Sequence, residues 1–418
     1  MDRQIGRRRG LALTSLGHFI NDGTVFFVPV IAAIVATRPG MSPAIITALF
    51  LVFYASTAVL SVFAGRLADR LGRPGSLMAL GLAVLSVGLI GFYVALVETG
   101  GALLVVTLML AAFLTGTGAA FYHPLGGSLL QTAFADRGLG VALGVNGALG
   151  SLGRALYPTL YFLAAAAIGG YGSVAAFALV GLAAATAVWL GTRVPAQGHA
   201  RARHDAPPAR QPPPDAAGTG GVLTPGIVVL TGVAFLRSVA TRGIAAWIPT
   251  YLATQRGLGV SADLGFAVTI MYAAAIVGQP LFGVLVDRVD KRWVLALASL
   301  GSAASILVYL AVSGAGWAGE AWLFVFGFFT FSGFPLLLSL VNDYVPRRAT
   351  SLANALVWGV GSTAGGALGP VLVGALVGTD YARLGLAFTL AAGAAVLSAL
   401  ATTLLPRATH VTRMAAFE

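Results

Sequence analysis

Cysteine is absent from this chain of 418 residues, so disulfides, thiol chemistry and cysteine-ligated metals are excluded. Charge is scarce as well: Asp, Glu, Lys and Arg make up 9% of the residues, against roughly 25% in a soluble globular protein. The mean hydropathy is +0.89, and the 55 glycines are typical of helices that pack closely within a membrane. This composition predicts an all-α, multi-pass membrane protein.

Sequence signatures of catalysis are missing too. The chain has no phosphate-binding Gly-Lys-Ser/Thr loop, no serine nucleophile elbow and no cluster of metal ligands along the sequence. The glycine-rich stretch at residues 145–153 lies inside an apolar run, where we interpret it as helix packing. We therefore expect no enzyme activity, no cofactor and no metal.

Twelve apolar runs are long enough to cross a bilayer, six on each side of a segment rich in Pro, Ala and Arg. The segment, residues 194–222, has no apolar periodicity and is predicted to be a cytoplasmic linker. We expect two domains, residues 1–193 and 223–418, each a bundle of six helices. The predicted spans are 11–37, 43–65, 74–97, 102–131, 139–168, 172–193, 223–253, 262–286, 293–314, 320–341, 351–378 and 382–405.

The basic residues are distributed unevenly among the loops. Of the 25 Lys and Arg residues, three lie in loops on one side of the predicted spans (Arg38, Arg256 and Arg383) and three lie inside spans. All the others lie on the side of the termini, which predicts that both termini are cytoplasmic. The net charge of +11 is thus explained by topology and by contact with anionic lipid in a bacterial inner membrane, so nucleic acid is not an expected partner.

A nine-residue motif occurs once in each half of the chain. Residues 65–73 read Gly-Arg-Leu-Ala-Asp-Arg-Leu-Gly-Arg after the second span, and residues 283–291 read Gly-Val-Leu-Val-Asp-Arg-Val-Asp-Lys after the eighth. The Gly, Leu, Asp, Arg and final basic positions are in register. Internal repeats of six spans are typical of transporters.

The motif at 65–73, the twelve spans and the central linker resemble the major facilitator superfamily. More narrowly, His18, Asn21 and Asp22 in span 1, with the run Tyr122-His123-Pro124-Leu125-Gly126 in span 4, resemble its fosmidomycin-resistance-type exporters. The chain departs from that pattern in span 5, which has Arg154 and Tyr157-Pro158 where small residues precede a Gly-Pro. The resemblance implies two pseudo-symmetric bundles around a cavity, alternating access, and a binding role for Tyr122.

The resemblance also implies cytoplasmic gates at the two motifs. Asp69 is expected to meet the start of span 11 near Ser351, where the helix dipole favours a negative charge. Asp287 is expected to do the same at span 5 near Gly138. The predicted gating residues are Asp69, Arg70, Arg73, Asp287 and Arg288. The alternative is a loop with only topogenic value.

Asp22 is an acid in the middle of an apolar run, where an ionisable group is costly unless it faces a cavity or a partner. His18 lies one helical turn away on the same face, and we expect His123 at a similar depth. Histidine titrates in the physiological range, so we predict that Asp22, with His18, His123 and Asn21, carries protons. The alternative is a carboxylate and histidines that only satisfy packing.

Arginines inside the spans predict an anionic ligand, because the planar guanidinium suits carboxylate, phosphate or phosphonate. Arg154 and Arg237 lie at the midpoints of spans 5 and 7. Tyr157 and Tyr161 share the helical face of Arg154 and are expected to line the site. Aligning Pro29 with Pro249 superposes Arg242 on Asp22, so these charges are expected to face each other. The alternatives are a structural salt bridge for an arginine and an Arg242 that reaches out to the membrane surface.

We predict a monomeric secondary transporter that exports a small organic anion or amphiphilic drug in exchange for protons. One alternative is a symporter that imports an organic acid, and one of another class is a membrane sensor or scaffold. The sequence leaves open the substrate, the direction, the coupling ion and its stoichiometry, the oligomeric state beyond the expected monomer, and the resting conformation.

Overall fold

The computed structural model describes residues 6–97, 101–134, 138–193, 222–312, 316–346 and 350–407. The predicted linker lies outside the described residues except for Val222, so the two domain boundaries stay predictions. Every regular element within the described ranges is a helix, as the composition predicts. Eleven helices among them are long and apolar enough to cross a membrane.

Six long helices form the first half of the chain. Proline at the first helical position starts two of them, where its missing N–H leaves no hydrogen bond unmade. Gly72 ends the second in the left-handed region at φ 62°, which a residue with a Cβ adopts only with strain. The helices are α1 (Arg7–Ala36), α2 (Pro43–Leu71), α3 (Pro74–Val97), α4 (Gly101–Ala133), α5 (Leu139–Ile168) and α6 (Gly170–Arg193).

The second half repeats this arrangement with two interruptions. Its first helix is capped by Thr224, whose hydroxyl accepts from the Ile227 N–H at 3.3 Å. The helices are α7 (Pro225–Thr254), α8 (Ala262–Arg288), α9 (Lys291–Ala311), α10 (Trp317–Phe331), α11 (Phe334–Tyr344), α12 (Thr350–Ala355), α13 (Gly365–Val377) and α14 (Leu384–Ala401). A π-helix, Leu356–Ala364, joins α12 to α13, and short 3₁₀ turns flank α14.

The predicted tenth span is broken, which differs from the single helix expected over 320–341. Helix α10 ends at Phe331, and α11 begins at Phe334. Pro335 has no N–H to donate to the carbonyl of Phe331, and that carbonyl accepts instead from Gln279 Nε2 at 3.3 Å. Together α10 and α11 occupy the place of the tenth span.

The second copy of the repeated motif ends in a helix cap. Asp290 precedes α9, and its carboxylate accepts from the backbone N–H of Arg292 at 3.0 Å and from the Arg292 guanidinium at 2.6 Å. The hydrogen bonds from Arg292 lower the pKa of the Asp290 carboxyl. Lys291 reaches the carboxylate of Asp343 at the end of α11, at 2.8 Å. This copy thus joins α9 to α11 at one end of the second bundle.

Each half packs as one bundle, and the two bundles meet through α1 with α7, α2 with α13 and α5 with α8. We call the end where α1 begins and α14 ends the terminal face, and the opposite end the far face. The two bundles are in contact in the half nearer the far face. There Tyr381 donates to the carbonyl of Met41 at 3.1 Å, and the rings of Phe50 and Trp247 lie 5.3 Å apart.

The same far half is closed between α5 and α8. Thr269 donates to the carbonyl of Ala155 at 2.6 Å and accepts from Thr159 at 2.8 Å. One turn closer to the far face, a Cβ on Gly265 would overlap the ring of Phe162. Small and hydroxyl-bearing residues therefore let the two bundles approach closely on this side.

In the terminal half the same helix pairs are apart. Gly65 of α2, Gly144 of α5 and Gly283 of α8 each face open space, with no atom within 4 Å of an added Cβ. Asp69 is exposed and pairs with no residue in the described part of the chain. The structure is thus closed at the far face and open at the terminal face.

The predicted gate contacts are not formed by Asp69 in this conformation. Arg70, Arg73 and Arg288 are exposed, and the side chains of Asp287 and Ser351 lie outside the described ones. A gate that forms when the terminal face closes would be open in this state. The gating roles therefore stay predictions.

We expect a disulfide to lock the far face, and the absence of native cysteine makes the test direct. A Cβ on Gly374 would lie 2.9 Å from the Cβ of Thr47, which a small backbone shift brings to the roughly 3.5–4.5 Å of a disulfide. Thr47→Cys with Gly374→Cys should therefore cross-link on mild oxidation and stop transport until reduced. Protection of both thiols from maleimide-polymer labelling measures the cross-link.

The control pair is Gly144→Cys with Gly283→Cys, on the open half of the α5–α8 interface. It should stay labelled under the same oxidation, because the two glycines face open space. Cross-linking of the control pair with none between Thr47→Cys and Gly374→Cys would show that the far face is not the closed one.

Candidate functional site

Asp22 lies near the middle of α1, and its side chain is only 5% exposed. Glycines next to it let other helices approach: Cβ atoms on Gly17 and Gly23 would meet the rings of Tyr122 and Tyr157. The carboxylate is therefore enclosed by α4 and α5 as well as by its own helix. A charge at such a depth requires partners.

Four side chains surround the carboxylate. Oδ2 lies 3.3 Å from Nη2 of Arg154 and 3.4 Å from Nε2 of His18. Oδ1 lies 3.3 Å from Nε2 of His123 and accepts from Nδ2 of Asn21 at 3.1 Å. The structure thus brings together the four residues predicted to carry protons and one of the predicted anion anchors.

His18 is held by α5 at its other ring nitrogen. Nδ1 lies 2.8 Å from the backbone carbonyl oxygen of Asn146 and 2.9 Å from its side-chain oxygen. Gly150, one turn along α5, provides the space, because a Cβ there would overlap the imidazole. The ring of Tyr122 stacks on the other side at a centroid distance of 4.7 Å.

His123 contacts the other oxygen of the carboxylate and differs from His18 in its exposure. Its side chain is 64% exposed, whereas that of His18 is 13% exposed. The two rings meet edge to face at 5.4 Å. The Asp22 carboxylate thus contacts one accessible histidine and one enclosed histidine.

Arg154 of α5 pairs with Asp22, which is the structural salt bridge weighed as an alternative from the sequence. Its guanidinium also lies over the rings of Phe26 at 4.5 Å and Phe331 at 5.6 Å. Its Nε is buried and has no hydrogen-bond partner in the described chain. Arg154 is therefore committed to Asp22 while retaining one free donor.

Arg242 of α7 is exposed, and its guanidinium also lies near the ring of Phe26, at 5.8 Å. It also passes close to Gly366 of α13 within its own bundle, whereas its contact with Phe26 of α1 crosses between the two bundles. It forms no ion pair within 4 Å with Asp22 or with any other acid that the structure describes. The expected facing of Asp22 and Arg242 is thus not a direct ion pair: Asp22 contacts Arg154, and Arg154 and Arg242 both contact Phe26.

Arg237 is not placed as the predicted anion anchor. Its side chain is buried and donates to the carbonyl oxygens of Phe329 at 2.6 Å and Thr330 at 3.1 Å, and to Ser299 Oγ at 3.4 Å. These carbonyls belong to the last turn of α10, which has lost its own donors at the helix break. The guanidinium therefore caps a helix C-terminus, where a positive charge is favourable.

The three predicted tyrosines are likewise not free to line a ligand. Tyr157 and Tyr161 are 1% exposed and pack against Phe27 of α1, because this face of α5 lies against α1. Tyr122 is 3% exposed, and its hydroxyl donates to the carbonyl of Thr14 at 2.9 Å. Helical spacing placed these residues correctly on α5 and α4, whereas their burial depends on which neighbour covers that face.

Sequence reasoning missed Asn146 and the aromatic residues around the arginines. Asn146, Gly150 and Arg154 are spaced by four residues and therefore share one helical face. This spacing could have indicated that Asn146 belongs to the same site as Arg154. Phe26, Tyr272 and Phe331 have no such signal, since aromatics are common throughout the spans. Their rings lie 5.1–6.0 Å apart across the two bundles.

The grouping of His18, Asp22 and His123 also has the composition of a metal site. Their potential ligand atoms lie within 4.8 Å of one another. However, the Arg154 guanidinium already contacts the carboxylate at 3.3 Å, and its positive charge would oppose a dication there. The arrangement fits a proton better than a metal ion.

Several solved structures share the fold. The nucleoside transporter NupG has a TM-score of 0.71 at 13% identity, covering 96% of this chain and 98% of its own. A bacterial homologue of the human lysosomal transporter Spinster, inward-facing and unoccupied, has a TM-score of 0.70 at 16% identity, covering 96% and 95%. A mutant of the peptide transporter POT in complex with sulfate has a TM-score of 0.67 at 18% identity, covering 96% of each chain.

One relative matches by sequence, a Haemophilus influenzae protein named as a candidate metabolite transport protein. It is 32% identical over 153 residues, which is 36% of this chain and 36% of that protein. A sequence model of the Major Facilitator Superfamily matches residues 12–264 and 258–415, nearly the whole chain. The chain therefore belongs to the Major Facilitator Superfamily and is a secondary transporter rather than an enzyme.

Proposed function

We propose that this transporter moves a small organic anion and couples that movement to protons, with Asp22 as the coupling carboxylate. The observation that carries the proposal is the buried Asp22, held by Arg154 and two histidines, of which His123 is 64% exposed. Burial of a titratable acid with titratable neighbours is common at functional sites. Arg242, exposed and unpaired with any described acid, provides the second positive charge.

The balance of charge around Phe26 supports an anion as the ligand. Arg154 and Arg242 carry one positive charge each and Asp22 one negative charge, so the site has an excess of one positive charge when both histidines are neutral. An uncompensated charge in a region of low dielectric is costly, and a bound anion would offset it. A neutral or cationic drug would not.

The same balance of charge distinguishes proton symport from proton antiport. A proton that reaches Asp22 or His18 raises the charge of the site by one and weakens the hold of Asp22 on Arg154. The proton and an anion should therefore bind cooperatively, and by linkage each strengthens the other. Cooperative binding favours a symporter that imports an organic acid, the alternative stated from the sequence.

Proton-driven export is the second candidate, and it rests on the resemblance of the motifs around His18 and Tyr122 to fosmidomycin-resistance-type exporters. An exporter of this kind needs the proton and the substrate to compete, which suits a neutral or cationic amphiphile at this site. Because the family is one of transporters, a sensor or scaffold is not proposed. The bacterial inner membrane, cytoplasmic termini, a monomeric state and the gates at residues 65–73 and 283–291 remain parts of the proposal.

Asp22→Asn should uncouple transport from protons. The amide keeps the size of the side chain and cannot take up a proton, so uptake into proteoliposomes should no longer respond to an imposed proton gradient. Exchange of labelled for unlabelled substrate needs no net proton movement and should stay measurable. Asp263→Asn, at the far-face start of α8, is the matched control and should behave as wild type. Proton-driven accumulation by Asp22→Asn at the wild-type rate would refute the coupling role.

Arg242→Ala should weaken anion binding by about tenfold to 100-fold, because a hydrogen bond to a charged group is worth about 1.5–3 kcal/mol. Arg242→Lys keeps the charge and should lose less. Binding can be followed in detergent by thermal stabilisation across a panel of carboxylates, phosphonates and lipophilic cations. Arg383→Ala, in the exposed turn before α14, is the control.

The pH dependence of that stabilisation separates the two candidates. If the proton and anion bind cooperatively, anion affinity in the wild type rises as the pH falls. Stabilisation by cations that weakens as the pH falls, with Arg242→Ala unchanged, would contradict the anion symporter and support the exporter.

A further inference from the structure

The two histidines of the site are not equivalent, and the difference lies at the nitrogens that face away from Asp22. Nδ1 of His18 faces two oxygens of Asn146, at 2.8 and 2.9 Å. We infer that His18 can exchange a proton only with Asp22, because its Nδ1 is protonated and bound to Asn146, and that His123 is the group through which protons reach Asp22. His18 is in this sense a proton store. This inference rests on the proposed function for its consequence in transport, whereas the state of the ring is a property of the protein alone.

The assignment of the Nδ1 proton does not depend on how the Asn146 amide is oriented. One of the two oxygens is the backbone carbonyl, which only accepts, so the 2.8 Å contact requires that Nδ1 donates. The side chain agrees: Asn146 Nδ2 donates to the Tyr122 hydroxyl at 2.9 Å, and that hydroxyl donates to the Thr14 carbonyl at 2.9 Å. Asn146 Oδ1 is then directed at His18.

A ring protonated at Nδ1 has only Nε2 left to exchange a proton. Nε2 lies 3.4 Å from Oδ2 of Asp22. If His18 is neutral and Asp22 ionised, two lone pairs face each other, so one additional proton between them is favoured. That proton is on the carboxyl oxygen or on Nε2, and its transfer converts a carboxylic acid and an imidazole into a carboxylate and an imidazolium.

His18 cannot pass this proton onward. Its Nδ1 proton is bound to Asn146, and the groups that face the ring are Asp22 on α1, Tyr122 and His123 on α4, and Arg154 on α5. Of these, only His123 combines a titratable nitrogen with high exposure, at 64%. Its Nε2 lies 3.3 Å from Oδ1, the carboxylate oxygen that His18 does not contact. The route into the site therefore runs through the exposed His123 to Asp22 and ends at His18.

Nitrogen-15 NMR of histidine in the full chain in lipid nanodiscs tests the store directly, because the two tautomers of neutral imidazole differ in their nitrogen shifts. The His18 signals are identified as those lost in His18→Gln. We expect that His18, once neutral at high pH, carries its proton on Nδ1. A neutral His18 that carries its proton on Nε2 would overturn the inference.

Gly150→Ala provides the matched structural test, since the added methyl would overlap the imidazole and displace it from Asn146. The Nδ1-protonated signal should then be lost. Gly147→Ala, one turn earlier on α5 with open space at its Cβ, should retain it. Retention of the signal in Gly150→Ala would contradict the role of Asn146.

Diethyl pyrocarbonate, which acylates neutral imidazole, tests the route, with modified sites read by mass spectrometry. His123 should react readily and His18 at least tenfold more slowly. Equal rates would overturn the route through His123. None of these readouts requires transport: if the ring state is as inferred and transport shows no proton dependence, the proposed function fails and the inference about His18 stands.

Discussion

The rest of the site depends on the burial of one carboxylate. Asp22 is on a helix that is covered on several sides, and a charge there is tolerated only if other helices provide opposite charge and hydrogen bonds. Arg154 from α5 and His123 from α4 do so. The packing of the first bundle and the compensation of the charge at its centre therefore depend on each other. The glycines at 17, 23 and 150 contribute to this packing, because each leaves the space that a ring of the site occupies.

The second bundle joins this site through aromatic rings rather than through ion pairs. The guanidinium groups of Arg154 and Arg242 both lie near the ring of Phe26, and Tyr272 and Phe331 of the second bundle pack on that ring. Phe331 is the last residue of α10, so the break in the tenth span sets its position. Arg237 stabilises that break by capping the freed carbonyls. A charge change at Asp22 would thus act, through Arg154, at a point where the two bundles touch.

The open and closed ends of the molecule follow from where small residues let helices approach. On the far half, Gly265 and Gly374 bring α8 and α13 against α5 and α2, and hydroxyl groups bond across the contact. On the terminal half, glycines of the same helices face open space. The π-helix at Leu356–Ala364 lies in the partner of α2, between the closed and the open halves. Such irregular turns are common at functional positions, and this one offers a place where α12 and α13 can bend relative to each other.

The amino-acid sequence alone was enough to predict the fold class, the superfamily and which ionisable residues lie together around Asp22. Long apolar runs and a repeated loop motif need no tertiary information, since the length of a span follows from the thickness of the membrane. Asp22, His18 and His123 could be found because an ionisable residue is rare inside a span. Helical periodicity, however, does not show which helix covers which face.

That choice of neighbour accounts for the residues whose surroundings differ from those predicted. Tyr157 and Tyr161 share a face with Arg154 yet are buried against α1, and Arg237 is used at a helix break that the apolar pattern of span ten does not reveal. Asn146 acts through a backbone oxygen on another helix. Only tertiary packing of α1 against α5 brings that oxygen within hydrogen-bond distance of His18. The spacing of residues along either helix cannot predict the contact, because it does not show which helices are neighbours.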